Sequence, residues 1–312
     1  MCSNFFRYTI GSAISGEIHY TADGIGEIAM SVRQDTLFER FLAPIFGFLI
    51  DREALLRYRN SKDWERESER FRQPNFAYPT YYNQNFHGVK NGYLSPDAAV
   101  TYDPITQYVL PPNEEWVRKG LIERIRCQPR RILDLGCGTG STTLLLKQAF
   151  PFAEVIGIDL SPYMLVVAAD KAEQSGLKVN LKQANAEQTG FADTSFDLVT
   201  ASLLFHETPP LISCNILQEA FRLLKPGGEV LILDGNQSTL RQTEWLTQIF
   251  EEPYIKDYAA GNVGDWMRTA GFADVQTEEV WWVHQVTRGV KPLPYRKVEF
   301  ESTQVEGSWV MG

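Results

Sequence analysis

The sequence predicts an α/β fold, a mostly parallel sheet covered by helices, preceded by an N-terminal helical cap. Two observations lead to this expectation. From Arg131 onward, short β-branched runs alternate with longer amphipathic runs, which is typical of parallel strands joined by crossover helices. Residues 1–115 are instead rich in Pro, Asn, Gly and aromatic residues, with too many large apolar side chains for a disordered linker.

The elements of the α/β part follow one another with short connections. Buried, β-branched runs predict strands at 131–135, 154–159, 179–184, 196–202 and 229–234. Amphipathic runs predict helices at 141–150, 162–175 and about 211–224. The segment from Lys225 to Gly228, KPGG, should end the last of these helices, because proline cannot continue a helix and glycine supplies a positive φ.

The N-terminal segment (residues 1–115) contains helical patterns at 34–50 and 51–71. The charges of the second pattern alternate in sign, which is typical of a solvated helix face. The sequence PPNEEW at 111–116 should begin the helix that leads into the first strand. We therefore divide the chain into the N-terminal segment, an α/β domain at 116–292 and a C-terminal tail at 293–312.

Composition restricts the classes of partner. The 312 residues carry a net charge of −9 with no block of consecutive Lys or Arg, which argues against a nucleic-acid partner. The four cysteines form no CxxC pair and no zinc-type cluster with histidine, so neither a metal nor a disulfide framework is expected.

The most apolar run, FLAPIFGFLI at 41–50, is too short to span a bilayer and contains Pro44. The first residues also lack the pattern of an export signal. A cytoplasmic protein without an integral membrane segment is the expectation.

Three signals for a ligand follow three successive strands. In ILDLGCGTG, Asp134 stands near the end of the first strand, and Gly136, Gly138 and Gly140 alternate before the next helix. Glycine allows a sharp turn and close approach of a ligand to the backbone. Asp159, at the end of the second strand, can accept hydrogen bonds from both hydroxyls of a ribose. The carboxyl ends of parallel strands are where such sheets bind ligands.

The third signal is Asn185-Ala186, which follows the third strand and can meet an adenine edge. A glycine triplet alone would be weak support for a ligand site. Three signals at one edge of the sheet favour a ligand over a plain tight turn.

Four motifs in unbroken order resemble the class I S-adenosylmethionine-dependent methyltransferase family. They are DLGCGTG, GIDLS, NAEQTGFADTSFDLV and LLKPGGEVLILD, and the resemblance covers about Trp116 to Pro292. It implies a Rossmann-like, seven-stranded, mostly parallel sheet whose last strand is antiparallel and is formed near 275–282 and 284–290. It also implies S-adenosyl-L-methionine as cofactor and S-adenosyl-L-homocysteine as product.

By this resemblance, the glycines lie under the methionine part of the cofactor, and Asp134 holds the glycine loop or the amino group. Asp159 binds the ribose, Leu160 covers the adenine, and Tyr102 either reaches the cofactor's carboxylate or is a core aromatic. The full expected set is Asp134, Gly136, Cys137, Gly138, Gly140, Asp159, Leu160, Asn185, Ala186, Ser202, Leu203 and Tyr102.

Two features depart from common patterns. Many relatives have Asp where this chain has Asn185, but an amide still donates and accepts hydrogen bonds. The third glycine comes one residue earlier than in the dinucleotide motif GxGxxG, which argues against a nicotinamide cofactor.

His206 is a candidate base, because it follows the fourth strand at the same edge and imidazole can accept a proton near neutral pH. Its alternative role is to close over the cofactor or bind the loop. Glu207 is expected to face away from it, because neighbours on a strand point to opposite faces. Two further candidates, His87 and Tyr82, stand in the aromatic run YPTYYNQNFHG, which forms either an acceptor lid or a local core.

The sequence therefore predicts transfer of a methyl group to an O, N or C atom of a small organic acceptor enclosed by the N-terminal segment. An aromatic or isoprenoid acceptor is one variant. The alternatives are a non-catalytic S-adenosylmethionine-binding protein and a nicotinamide-dependent oxidoreductase.

Overall fold

The computed structural model describes residues 51–84, 86, 92–110, 112–243 and 253–294. The helix expected at 34–50, the apolar run at 41–50, His87 and most of the C-terminal tail lie outside the described residues.

The strands of the described residues form one seven-stranded sheet. They are β1 (Arg131–Leu135), β2 (Glu154–Asp159), β3 (Asn180–Gln183), β4 (Phe196–Ser202), β5 (Leu224–Gly235), β6 (Ala273–Val280) and β7 (His284–Val290). Their order is β3-β2-β1-β4-β5-β7-β6. Strands β1 to β5 are parallel, and β7 runs antiparallel to both β5 and β6. This topology confirms the predicted Rossmann-like sheet.

The described helices include those expected at 141–150, 162–175 and about 211–224, two short ones at 237–242 and 255–260 that were not predicted, and one exception to the predictions in the N-terminal segment. They are α1 (Arg52–Asn60), α2 (Trp64–Glu69), α3 (Pro96–Val109), α4 (Glu114–Ile122), α5 (Ser141–Ala149), α6 (Pro162–Gln174), α7 (Pro210–Leu223), α8 (Gln237–Gln242), α9 (Ile255–Ala260) and α10 (Val263–Thr269). Among the helices described, none is both long enough and apolar enough to cross a bilayer.

The exception is the single helix expected at 51–71, which is divided into α1 and α2. Asp63 begins the second helix, because its side chain accepts a hydrogen bond from the backbone N–H of Arg66 at 3.2 Å. Asp51 caps α1 in the same way at Ala54, at 2.9 Å. The charge pattern predicted helix but did not reveal that an aspartate in its middle caps a new one.

The KPGG segment ends α7 as expected, but it is not a free turn. It lies within β5, where the pairing with β4 shifts from Phe196–Leu224 to Leu198–Glu229. Gly227 has a φ of +82°. Its N–H donates to the carbonyl of Lys291 at 2.8 Å, so the bulged segment stays bound to the chain that follows β7.

The described part of the N-terminal segment packs against α6 rather than standing apart. Trp64, Tyr82 and Tyr93 are buried with Tyr163 and Met164 of that helix in one apolar cluster. The aromatic run therefore contributes to a local core, as one of the two sequence interpretations held.

A polar link joins this cluster to the sheet. Gln183, at the end of β3, accepts the backbone N–H of Gln73 at 2.8 Å and donates to the hydroxyl of Tyr78 at 3.0 Å. The N-terminal segment is thereby held beside the carboxyl edge of the sheet.

Candidate active site

The glycine loop turns sharply because three of its residues have positive φ. The φ values are +60° at Gly136, +53° at Gly138 and +81° at Gly140. A Cβ at Gly136 would lie 2.8 Å from Leu204, and one at Gly140 would lie 2.9 Å from Ala168. A Cβ at Gly138 would meet nothing within 4 Å. Two glycines therefore allow close packing, and Gly138 leaves bare backbone facing open space.

Asp134 lies beneath this loop and is 1% exposed. Its carboxylate accepts hydrogen bonds from Thr143 of α5 at 2.7 Å and from Thr200 of β4 at 2.8 Å. Burial raises the pKa of Asp134 to about 6. The side chain thus ties β1 to α5 and β4, and supports the loop from behind.

Asp159 stands at the end of β2 and faces the loop. One carboxylate oxygen accepts the backbone N–H of Gly138 and the other accepts that of Ser161, each at 2.8 Å. Burial raises the pKa of Asp159 to about 6. The Ser161 hydroxyl donates to the carbonyl of Tyr93 at 2.7 Å, which joins this corner to the N-terminal segment.

A cavity lies between the sheet edge and the N-terminal segment. Tyrosines of that segment line one side, namely Tyr81, Tyr82, Tyr93 and Tyr102. Most of the predicted cofactor residues also line it, namely Gly136, Cys137, Gly138, Asp159, Leu160, Ala186, Ser202, Leu203 and Tyr102. The structure therefore brings residues from each of the three strand-end signals to one place with Tyr102.

Three predicted cofactor residues are not among those that line the cavity. Asp134 supports the loop from behind, and Gly140, within the loop, packs against Ala168. Asn185 lines a separate surface depression together with Glu187 and Arg222. Its side-chain oxygen accepts the backbone N–H of Glu187 at 2.9 Å, so Asn185 stabilises its own turn.

The end of β4 is strained where it meets the cavity. Leu203 has a φ of +58°, which is unfavourable for a residue other than glycine. Its N–H donates to the carbonyl of Leu233 at 2.8 Å. The neighbouring Ser202 hydroxyl is buried and has no hydrogen-bond partner among the described residues. A buried hydroxyl of this kind normally has a partner, which a bound ligand would supply.

Arg118 is a cavity residue that the sequence analysis missed. It is 5% exposed, donates to Glu114 at 2.7 Å and to the Thr142 hydroxyl at 2.8 Å, and lines the cavity. It stands in EEWVRKGLIERI, where several charged residues alternate with apolar ones. The packing of α4 on α5 decides which of these charged side chains points inward. The local sequence does not reveal that it is Arg118.

The corner after β4 differs from the sequence prediction. Phe205–Glu207 forms a 3₁₀ turn, so His206 and Glu207 do not alternate as they would on a strand. His206 Nε2 lies 3.9 Å from Glu207 Oε1, and the expectation that the two side chains face apart is wrong. The side chain of Glu207 lines the cavity, whereas His206 is not among the lining residues.

His206 is held from behind by Asp234, at the end of β5. The distance from His206 Nδ1 to Asp234 Oδ1 is 2.5 Å. Asp234 is 1% exposed and also accepts the backbone N–H groups of Phe205, His206 and Gly235. On the cavity side, the Tyr93 hydroxyl donates to Glu207 Oε1 at 2.6 Å.

Two other cavity groups are less suited to proton transfer, namely Tyr82, a predicted catalytic residue, and Cys137, which was predicted to bind the cofactor. Burial raises the pKa of the Tyr82 hydroxyl well above its ordinary value, and burial does the same for the Cys137 thiol. Within the described ranges, no group of three or more His, Cys, Asp or Glu side chains could hold a metal ion.

Comparison with known proteins shows which proteins this chain resembles. A family model described as a methyltransferase domain matches residues 132–228. Demethylmenaquinone methyltransferase of Thermus thermophilus is 40% identical over 119 residues, which are 38% of this chain and 53% of that protein. The chain thus spans about half the length of that relative. Demethylmenaquinone methyltransferase of Anoxybacillus flavithermus is 31% identical over 186 residues, which are 52% of this chain and 78% of that protein.

Among solved structures, human N-acetylserotonin methyltransferase in complex with S-adenosylmethionine aligns with a TM-score of 0.50 and 15% identity. The alignment covers 64% of this chain and 58% of the human protein, and at this identity it shows the shared fold alone. The sequence match to the Anoxybacillus protein covers most of that protein and shows the family as well as the fold. The chain belongs to the class I S-adenosylmethionine-dependent methyltransferase family.

Proposed function

We propose that this protein transfers the methyl group of S-adenosylmethionine to a small aromatic acceptor enclosed between the sheet edge and the N-terminal segment. The observation that carries the proposal is the shared cavity, whose walls combine most of the predicted cofactor residues, Tyr102 included, with Tyr81, Tyr82 and Tyr93. A cavity closed by residues of one chain suits a small molecule better than a macromolecule.

The residues present fit the cofactor. Asp159 would bind the ribose hydroxyls, and the bare backbone at Gly138 leaves room for the ligand. The unpartnered Ser202 hydroxyl would gain a hydrogen bond. Arg118 and Tyr102, both on the cavity wall, would hold the carboxylate at the methionine end, because a buried guanidinium pairs well with a carboxylate.

S-adenosylmethionine supplies the reactive methyl carbon and its leaving group when bound. The task left to this chain is to align the acceptor with that carbon and to exclude water. Tyr81, Tyr82 and Tyr93 are suited to this, because their rings form one wall of the cavity and present flat apolar surfaces.

The aromatic acceptor is supported by the names of the relatives, which are demethylmenaquinone methyltransferases. Methyl transfer from a sulfonium requires an electron-rich acceptor. A quinone ring is electron-poor, whereas its reduced, dihydroxy form has nucleophilic oxygen and ring-carbon atoms. We therefore propose a reduced naphthoquinone-like ring as the acceptor nucleus.

The test combines binding and turnover. Calorimetric titration with S-adenosylmethionine and S-adenosylhomocysteine should show binding of both, and titration with NADH should show none. Incubation with S-adenosylmethionine and 1,4-dihydroxynaphthalene under anaerobic conditions should yield a product heavier by one methyl group in mass spectrometry. Binding of neither sulfur compound would refute the cofactor assignment, and binding without product would refute the proposed acceptor.

A further inference from the structure

Glu207 differs from the other carboxylate of the cavity wall in what holds it. Both oxygens of Asp159 are bound by backbone N–H groups near the glycine loop. Glu207 is 13% exposed, stands at the corner after β4, and receives its hydrogen bond from the Tyr93 hydroxyl of the N-terminal segment. Glu207 therefore stands where β4 meets the tyrosine wall that we assign to the acceptor.

A buried acid and a histidine lie in a row behind Glu207. Asp234 holds Nδ1 of His206 at 2.5 Å, and Nε2 of the same ring lies 3.9 Å from Glu207 Oε1. A carboxylate bound to one ring nitrogen fixes the orientation of the imidazole and directs the other nitrogen. His206 itself is not among the cavity-lining residues, so it would act on the acceptor only through Glu207.

We propose that Glu207 is the proton acceptor of methyl transfer, positioned by Tyr93 and by the His206–Asp234 pair, and that the acceptor enters as a neutral aromatic hydroxyl. This inference rests on the function proposed above. It replaces His206 by Glu207 as the group that touches the acceptor, and makes His206 a positioning residue.

The proposed step balances without an oxidant or a reductant. The hydroxyl proton passes to the Glu207 carboxylate, and the O–H electron pair stays with the acceptor. The acceptor forms a bond to the methyl carbon through its oxygen, or through the adjacent ring carbon, whose C–H proton then moves to the ring oxygen by tautomerisation. The methyl carbon–sulfur bond breaks, and its electron pair neutralises the sulfonium charge.

Among the residues that the structure describes, the following ionisable groups do not compete with Glu207 for this proton. Burial raises the pKa values of Tyr82 and Tyr102, so both remain neutral hydroxyls. Tyr93 donates its hydrogen bond to Glu207. Asp159 faces the glycine loop, and Arg118 is a cation paired with Glu114. His206 is bound to Asp234 and does not line the cavity.

The experiment compares Glu207→Gln with wild type, using S-adenosylmethionine and 1,4-dihydroxynaphthalene kept reduced under argon. At pH 7, kcat should fall by about 10²-fold, the usual contribution of a general base. The affinity for S-adenosylhomocysteine should stay unchanged, which shows that the variant is folded. The matched control is Glu279→Gln on β6, an exposed carboxylate of the far edge strand, which should behave as wild type.

The pH dependence separates proton acceptance from a structural role. As pH rises toward the ionisation of the acceptor, about 10 for a phenol, the acceptor arrives already deprotonated. The difference in kcat between Glu207→Gln and wild type should then shrink. A kcat for Glu207→Gln close to wild type at pH 7, or a deficit that stays constant as pH rises, would overturn the proposal.

The role of His206 is tested by a double-mutant cycle. His206→Asn should lower kcat and leave the KM for S-adenosylmethionine unchanged, and the double variant with Glu207→Gln should be no slower than Glu207→Gln alone. Additive losses would overturn the positioning role. If the wild-type protein binds S-adenosylhomocysteine but does not methylate the naphthalenediol, both this inference and the proposed acceptor are overturned. If it binds neither S-adenosylmethionine nor S-adenosylhomocysteine, the proposed function itself is refuted.

Discussion

The carboxylate of Asp159 is a titrating group on the cavity wall, and this gives its proposed role a pH signature. Burial raises its pKa to about 6 in the protein without cofactor. Ribose hydroxyls that donate to the carboxylate would favour its charged form, so cofactor binding should lower this pKa. The affinity for S-adenosylhomocysteine should therefore be full above pH 6 and weaken as pH falls below it, which calorimetry between pH 5 and 8 can measure.

Asp159→Asn is the control, because it removes the titration and should give an affinity that does not change over this range. Asp159→Ala should weaken binding at pH 7 by more than about 1 kcal/mol, since hydrogen bonds to a charged group contribute roughly 1.5–3 kcal/mol. An unchanged affinity in the alanine variant would disprove the ribose assignment.

Arg118 should act on one end of the cofactor only. Arg118→Lys keeps a cation beside Glu114 but loses the planar fork, so the affinity for S-adenosylhomocysteine should fall by about tenfold, equivalent to roughly 1.5 kcal/mol. The affinity for 5′-methylthioadenosine, which lacks the amino acid portion, should not change. An equal loss for both ligands, measured by calorimetry, would place Arg118 elsewhere in the site.

These residues also show where the sequence was informative. Gly138 and Asp159 are marked locally, because Asp159 is the last residue of β2 and Gly138 lies three residues beyond the end of β1, and both strands can be recognised from their side chains. Arg118 is not marked, because its inward orientation depends on the packing of α4 against Thr142. Glu207 was misplaced because strand alternation was extended beyond the end of β4 at Ser202 into a 3₁₀ turn.

At the scale of elements, Gly138 of the glycine loop can be compared with Gly176, which follows α6 and also has a left-handed backbone conformation. Gly138 and Gly176 have φ values of +53° and +65°, and a Cβ at either would meet no atom within 4 Å. Alanine at either position should therefore cost a similar roughly 1–2 kcal/mol of stability from backbone strain alone. Gly138→Ala should in addition lose cofactor affinity, because its methyl group would occupy the cavity, whereas Gly176→Ala should not.

Thermal denaturation measures the shared strain, and calorimetry with S-adenosylhomocysteine measures the difference. Equal affinities in the two alanine variants would show that the cofactor does not lie against Gly138. A much larger loss of stability at Gly138 would mean that the loop cannot accommodate a side chain for reasons other than the ligand.

Strand and helix bounds in the α/β domain follow closely from the periodicity of apolar residues, and errors occur where a polar side chain caps a helix or where residues far apart in sequence bind each other. Asp63 begins a helix where the charge pattern suggested continuity. The KPGG segment was expected only to end a helix, and it is also held beside Lys291, a contact between residues far apart in sequence. Such contacts are set by the packed sheet and leave no local periodicity.

At the scale of the whole molecule, the cavity belongs to both parts of the chain, and cofactor binding should therefore stabilise both. S-adenosylhomocysteine at 100 times its Kd should add about 2.7 kcal/mol to the free energy of unfolding. Hydrogen exchange with and without the ligand should show slower exchange at 136–140 and also at 92–102, because Tyr93 and Tyr102 line the same cavity as the glycine loop. The Ser161 hydroxyl, bound to the carbonyl of Tyr93, links the two regions through Asp159, which accepts the backbone N–H groups of Ser161 and Gly138.

Ser161→Ala tests that link. The variant keeps the backbone N–H that binds Asp159, so protection of 136–140 by the ligand should persist, whereas protection of 92–102 should decrease. Protection confined to the glycine loop in the wild-type protein would contradict the shared site. The N-terminal segment would then be a neighbour of the cofactor pocket and not its cover, and the acceptor would have to be sought on an open face of the sheet edge.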